Sequence, residues 1–395
     1  MQYTTRVRTW RVLGVLSGTS ADGVDAAVAE LTLDGETVVL RPLGHTTHPY
    51  PRALRDELLA ALPPATCSAE TLCRLDTGVG RAFADAARRA GELSDEPIDF
   101  IASLGQTAFH WVEDGRARGT LQIGQPAWIA EATGLPVVSD LRARDVAAGG
   151  HGAPLAGVLD SLWLAGEPGV NIALNIGGIA NITVVGGPQP LAYDTGPGNA
   201  LIDLAAGRAT GTPQDTDGAL AAAGTAHPEL LDLLLSDPYY RQPPPKSTGR
   251  EHFTAEYLDQ RVEKIGGISD ADLLATLTEL TAVTIADACN QHRPGRVIAS
   301  GGGVHNPVLL AALRRHLRAP LRTSDELGLP TDGKEAYLTA LLGFLTWNGL
   351  AGNTPGTTGA SGPRLLGSIT PGRGPLRLPD PAARQPRRLR VLPAN

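Results

Sequence analysis

At 395 residues the chain is long enough for two or three domains at about 150 residues each, and 42% apolar against 19% charged residues makes it globular rather than disordered. A net charge of -7, from 34 Lys and Arg against 41 Asp and Glu, excludes the overall basic footprint of a nucleic-acid-binding protein. No apolar run approaches the roughly 18 residues of a membrane span, and residues 12–16 are too few for a secretory signal. Cys67, Cys73 and Cys289 form neither a C-x-x-C pair nor a zinc set, so a reducing cytoplasm is expected.

Residues 12–16 read as a short buried strand, and the turn 17–25 leads into an extended pattern at 26–31, which together predict a hairpin. Helical spacing covers 54–62 and 71–90, and a buried strand at 100–103 delivers Gly105, Gln106 and Thr107 at its end, where α/β folds place their sites. After a strand at 136–139, the charged stretch 140–145 and the glycine cluster 147–152 suggest a domain boundary before a helix at 154–164. The second half opens like the first, with strands 171–176 and 181–185 joined by 177–180. A helix at 200–206, a rigid Pro243-Pro244-Pro245 segment, a strand at 296–300 and helices ending near 317 and spanning 334–345 follow. From Arg373 onward, six arginines against one aspartate read as a mobile basic extension.

Glycine turns at 17–25, 175–181 and 300–306 each follow a predicted strand. Glycine lets backbone approach a ligand closely, and successive N–H groups in such turns can cradle phosphates, although a glycine turn between strands is often only a hairpin. Neither G-x-G-x-x-G nor G-x-x-x-x-G-K-[ST] occurs at these turns. Asp194 precedes the helix at 200–206, where it either caps that helix or serves as a base beside a phosphoryl donor. Asp22 and Asp25 are oxygen ligands suited to Mg2+, or ordinary turn aspartates. Arg142, Arg144 and Asp145 form a polar cluster suited to a sugar, or a solvated connector. His110 and His151 are orienting or structural groups rather than metal ligands, and no G-x-S-x-G elbow frames Ser20 or Ser103 as a nucleophile.

Nine blocks occur in one order: S-G-T-S-A-D-G-V-D (17–25), G-Q-T (105–107), L-Q-I-G-Q-P-A (121–127), A-A-G-G-H-G-A-P-L (147–155), N-I-G-G-I-A-N (175–181), D-T-G-P-G-N (194–199), P-K-S-T-G-R-E (245–251), S-G-G-G-V-H-N (300–306) and T-G-A-S-G-P-R-L-L-G (358–367). In these blocks the chain resembles the anhydro-N-acetylmuramic acid kinases, members of the sugar kinase/heat-shock ATPase/actin superfamily, over about residues 12–371. It departs from the family pattern at Leu104, where histidine is frequent, at Ala143, within a run often of arginines, and in the tail from Arg373.

The resemblance implies an α/β fold of two actin-like, ribonuclease H-like lobes, each a mixed central sheet flanked by helices, with the active site in the interlobe cleft. The lobes expected are 1–139 with about 357–374, and 140–356, followed by the tail 375–395. It implies a kinase that phosphorylates 1,6-anhydro-N-acetylmuramic acid at O6 while water opens the ring. ATP would meet Ser17, Gly18, Thr19, Ser20, Asp22, Gly23 and Asp25, then Asn175, Gly177, Gly178 and Asn181, and finally Gly301, Gly302, Gly303 and Asn306. Mg2+ would sit near Asp22 and Asp25; Gln106, Thr107, Arg144, Asp145 and Glu335 would meet the sugar; Asp194 would be the base that activates water. A homodimer is what the family suggests. Two alternatives remain open: a hexosamine kinase without ring opening, and an actin-like protein whose ATP turnover drives lobe motion.

Overall fold

The apolar run near the start forms β1 (Thr9–Ser17), buried on both faces. Its side chains alternate between two cores, with Trp10, Val12 and Leu16 in one and Leu13 and Val15 in the other. The structure is a computed structural model that describes residues 8–18, 20–249 and 251–393. It divides into two units, Met1–Gly166 with Gly328–Asn395, and Glu167–Leu327.

In the first unit, β1 pairs antiparallel with β2 (Gly23–Asp34), and β2 with β3 (Thr37–Pro49). On its other edge β1 pairs in parallel with β4 (Phe100–Glu113), which also carries the hairpin partner β5 (Arg116–Ile123) and the parallel β6 (Val137–Ser139). The apolar helix Lys334–Trp347 covers one face, where Trp347 stacks on Phe100 at 4.4 Å and a Cβ at Gly14 would overlap the Ala336 carbonyl. Helix Ala69–Ala90 covers the other face and starts at Ser68, whose hydroxyl accepts the Thr71 N–H at 3.1 Å.

The second unit repeats this strand order. Its sheet runs β7 (Asn171–Ile176), β8 (Ile179–Val185) and β9 (Leu191–Pro197) as an antiparallel set, with β10 (Arg296–Ser300) and β11 (Leu321–Thr323) parallel on the far side of β7. The first sheet thus runs β3, β2, β1, β4, β6 and the second β9, β8, β7, β10, β11, so with the β5 hairpin set aside the two share one order, with a right-handed crossover expected between β1 and β4 and between β7 and β10. This duplicated mixed sheet is the actin-like arrangement the resemblance implies. Helix Asp270–Gln291 lies against β8 and β9, and helices Ala200–Thr210, Pro228–Leu235 and Ala255–Val262 gather around a smaller core that holds Leu230, Leu258 and Leu274. Among the described residues no helix is long and apolar enough to cross a membrane.

Two sequence expectations are corrected. The unit boundaries fall at 166/167 and 327/328 instead of 139/140 and 356/357. The glycine cluster at 147–152 turns the chain between helix Ala143–Ala147 and helix Ala156–Leu164, and Leu155 and Leu159 join the same core as Leu338 and Leu342. The tail is ordered where it was expected to be mobile: Arg388–Val391 adds a parallel strand to the edge of β3, with Leu389 opposite Val38 and only 5% exposed. Its entry is fixed by the Arg387 N–H on the Glu36 carbonyl at 2.7 Å. Leu389→Ala is expected to cost about 2–4 kcal/mol of stability, as for other buried leucines, read by urea denaturation; an unchanged midpoint would mean that the strand contributes nothing.

Candidate active-site residues

The first glycine turn is held from below by Gln106. A register shift after Val15 places Ser17 beside Gln106 across β1 and β4. The Ser17 hydroxyl donates to Gln106 Oε1 at 2.6 Å, and Gln106 Nε2 donates to the Gly18 carbonyl at 3.1 Å and the Thr107 carbonyl at 3.4 Å. Gln106 is fully buried and its amide is engaged within this unit, so it is placed as the support of the turn rather than as the expected sugar contact. Thr107 Oγ1 accepts from Gln122 Nε2 at 3.2 Å. A Cβ at Gly18 would make ordinary contact with Ser20 Oγ at 3.9 Å, the Gly18 carbonyl accepts the Ala21 N–H at 3.1 Å, Ser20 is exposed, and Thr19 lies outside the described residues. At Gly23 a Cβ would overlap the His48 carbonyl, so glycine is required where β2 crosses β3.

Past this turn the two aspartates differ. Asp22 is exposed and pairs with Arg55 at 2.7 Å. Asp25 is half-buried, accepts the Thr47 hydroxyl at 2.6 Å, and has its pKa raised by burial and by the charges of Asp332 and Asp22, against the opposing Thr47 bond and His45. Glu335, in the first turn of helix Lys334–Trp347, keeps solvent-accessible surface yet is crowded by protein. That desolvation, with the charge of Asp25, raises its pKa, while Arg142 and Lys334 oppose the rise. Lys334 itself forms an ion pair with the buried Asp160 at 2.8 Å, which pins the start of the helix.

The run 142–145 divides by role. Arg142 donates to the Gly152 carbonyl at 2.8 Å, its buried Nε has no hydrogen-bond partner among the described residues, and burial lowers its pKa against the pull of Glu335. Arg144 is exposed. Asp145, expected at the sugar, is fully buried and instead ties the unit together: it accepts the Gly152 N–H at 2.8 Å, Asn353 Nδ2 at 2.7 Å and the Thr358 hydroxyl at 2.8 Å. Burial, then the charges of Arg142 and His151, lowers the pKa of His110, so both histidines belong to the surroundings of Arg142.

In the second unit Asn175 and Asn181 face each other where β7 and β8 meet. The Gly177 carbonyl accepts the Asn199 N–H at 2.8 Å, and the Gly178 carbonyl accepts those of Gly198 and Ala200 at 2.9 and 3.0 Å, which locks this turn to the start of helix Ala200–Thr210. After β10 the chain passes hard against β7. Gly301 has φ +85°, and a Cβ there would stand 2.5 Å from Asn175 Oδ1 and 2.9 Å from the Ile176 carbonyl, while one at Gly303 would overlap the Ile176 side chain. Gly302 faces open space. Asn306, expected at the nucleotide, is buried, and its Oδ1 accepts the Leu309 N–H at 3.0 Å as the cap of helix Pro307–His316.

Asp194 does not cap the helix that follows it. It pairs with Asn181 across β8 and β9, next to a register shift that leaves Thr195 without a partner in the ladder; its N–H goes to the Lys246 carbonyl at 3.1 Å, and its carbonyl accepts the Tyr239 hydroxyl at 2.7 Å. Its carboxylate Oδ2 accepts the Ser247 hydroxyl and the Thr248 N–H, both at 3.0 Å. Burial raises its pKa and the charge of Glu251 adds to the rise, while the two hydrogen bonds oppose it. Ser247 and Thr248 stand in the block P-K-S-T-G-R-E, which the sequence reading singled out without a role, and their meeting with Asp194 is a long-range contact that no local pattern shows.

Two mixed sheets of one strand order, each opening on a hairpin with a glycine turn, give the chain an actin-like fold, a class that includes ATP-dependent sugar kinases. Residues 10–372 match the family model of anhydro-N-acetylmuramic acid kinase. The anhydro-N-acetylmuramic acid kinase of Streptomyces coelicolor is 57% identical over 387 residues, with 97% of this chain and 99% of the relative covered. Those of Streptomyces avermitilis and Rhodococcus erythropolis are 56% and 50% identical, over 96% and 97% of this chain and 99% and 100% of theirs. The chain belongs to the anhydro-N-acetylmuramic acid kinase family and is an ATP-dependent kinase.

The glycine geometry makes a direct prediction. Gly301→Ala, strained in φ and short of space, should lose about 1–3 kcal/mol of stability, and Gly302→Ala less than about 0.5 kcal/mol; urea denaturation of the two variants checks the contrast, and equal losses would contradict it.

Proposed function

We propose that the protein transfers the γ-phosphoryl group of ATP to O6 of 1,6-anhydro-N-acetylmuramic acid as water opens the ring at C1, giving N-acetylmuramic acid 6-phosphate and ADP. Asp194 takes a proton from water, whose oxygen bonds to C1. The C1–O6 bond breaks with its electron pair left on O6, O6 bonds to the γ-phosphorus, and the bond from that phosphorus to the ADP oxygen breaks. The observation that carries this reading is the Asp194 carboxylate itself, partly withdrawn from water, ordered by neutral donors and bound in no salt bridge among the described residues. Family membership supplies the substrate class.

Other residues take supporting roles in the proposal. Main-chain groups of Ser17, Gly18 and Ser20, and of Gly177 and Gly178 with Asn175 and Asn181 beside them, serve the phosphates; Gly301, Gly302 and Gly303 serve the nucleoside. Glu335, with Arg142 and Thr107, serves the sugar, and Arg144 is exposed for the same use. Among the described residues no group of three or more His, Cys, Asp or Glu could hold a metal ion. Mg2+ bound mainly by phosphates and water needs only one or two carboxylates, and Asp25, repelled by Asp22 and Asp332, fits that use better than Asp22, which is occupied by Arg55. When bound, Mg2+ neutralises charge on the phosphate oxygens.

We also propose a cytoplasmic location, supported by three free cysteines, and a homodimer, supported by the exposed Phe109, Trp111, Val112 and Leu121 of the β4–β5 hairpin. A hexosamine kinase that phosphorylates a free hydroxyl is the second reading, since Asp194 could equally deprotonate an alcohol. Asp194→Asn is expected to lower kcat on the anhydro sugar by about 100- to 10,000-fold with KM for ATP little changed, read as ADP release. Because the raised pKa delays ionisation of the base, the acid limb of kcat/KM should lie above the usual aspartate range; full activity in the variant would remove Asp194 from the reaction.

A further inference from the structure

We propose that Ser247 is a positioning residue for Asp194: together with the Thr248 N–H it occupies Oδ2 and orients the carboxylate, so that Oδ1 is the oxygen that receives the proton. The inference rests on the reading of Asp194 as the base. It begins from an asymmetry in the carboxylate. Oδ2 accepts two hydrogen bonds from adjacent residues, and Oδ1 has no hydrogen-bond partner among the described residues. Two donors on one oxygen fix the plane of the group and reduce the basicity of that oxygen, leaving the other to accept a proton.

The donors are themselves fixed. β9 is the edge strand of its sheet, and the Asp194 N–H donates to the Lys246 carbonyl while the Thr248 N–H returns to the Asp194 carboxylate, so the chain is tied to residue 194 on both sides of Ser247. The Lys246 ammonium donates to the Tyr239 and Tyr240 carbonyls at 3.0 and 3.1 Å and lies 4.5 Å from the Tyr239 ring centre, and the Tyr239 hydroxyl returns to the Asp194 carbonyl. This ring of bonds spends the lysine on main-chain oxygens, and among the described residues Lys246 makes no ion pair with a carboxylate. Ser247 itself is exposed, so its hydroxyl can be removed without leaving a cavity.

The charged and titratable groups that face Asp194 are Glu251, whose charge opposes ionisation, Tyr239, and Lys246 through its main chain; Arg250 lies outside the described residues. A hydroxyl that donates to the ionised carboxylate favours that form. Its loss therefore raises the pKa of the base and moves the acid limb of kcat/KM to higher pH.

The test is the pH profile of kcat/KM for Ser247→Ala, Ser247→Thr and wild type, with urea midpoints to establish folding. Ser247→Ala is expected to fold like wild type, to lose about tenfold in kcat at the plateau, as for a hydrogen bond to a charged group, to keep its KM for ATP, and to show an acid limb at higher pH. Ser247→Thr, which restores the hydroxyl, should recover both. In an Asp194→Asn background Ser247→Ala should have no further effect. A Ser247→Ala profile superimposed on wild type, or an equal loss in both backgrounds, overturns the proposal. Full activity in Asp194→Asn alone is the separate result that sinks the base reading itself.

Discussion

A carboxylate drawn partly out of water has to find its hydrogen bonds in the protein, and at Asp194 that requirement organises the surrounding chain. The strand β9 delivers the residue, but the segment 239–248 completes its bonding, so sheet and loop must both be in place before the group is ordered. The end of β9 is anchored in turn. The Thr281 hydroxyl, from helix Asp270–Gln291, reaches the Pro197 and Gly198 carbonyls at 3.2 and 2.9 Å. Fixed position is what phosphoryl transfer demands of a protein, because its barrier is lowered by placement and charge more than by covalent chemistry.

Framework and chemistry are separated by how completely each polar group is satisfied. Gln106 and Asp145 are fully buried with several good partners each, and Asn306 is spent on a helix cap; a group in that condition holds the fold. Asp25, Glu335 and Asp194 differ, for each keeps some solvent access and has its pKa pushed up, by burial first and then by a neighbouring acid. Perturbed acids that remain reachable are the ones able to exchange protons or hold a cation. Arg142 and Lys334 keep Glu335 from rising further, so the start of helix Lys334–Trp347 is balanced between an acid cluster and two cations.

Much of this was legible in the sequence. The strand at 296–300, the strand 171–176 and the helix from 334 are where apolar patterning puts them, because a central strand or buried helix must be apolar throughout. The glycine turns were legible because close backbone approach at Gly23, Gly301 and Gly303 leaves no room for a side chain. The strands β3 and β5 were missed, since both carry many polar and exposed residues at the sheet's margin. The Arg388–Val391 strand was missed because one buried leucine among arginines gives almost no period-two signal. Charge alone misplaced the 140–152 region, where Asp145 turns inward and its partners lie some two hundred residues away at Asn353 and Thr358. The roles of Ser247 and Thr248 had the same kind of invisibility, being fixed by tertiary contact rather than by their neighbours in sequence.

The most direct measurement is the reaction of wild-type protein with ATP, Mg2+ and 1,6-anhydro-N-acetylmuramic acid in ¹⁸O-labelled water, with the mass of the sugar product read before the label at C1 exchanges. The account predicts a sugar 6-phosphate that carries one solvent oxygen at C1 and none in its phosphoryl group, formed in step with ADP. A product without solvent oxygen, or turnover confined to reducing sugars, would contradict coupled ring opening.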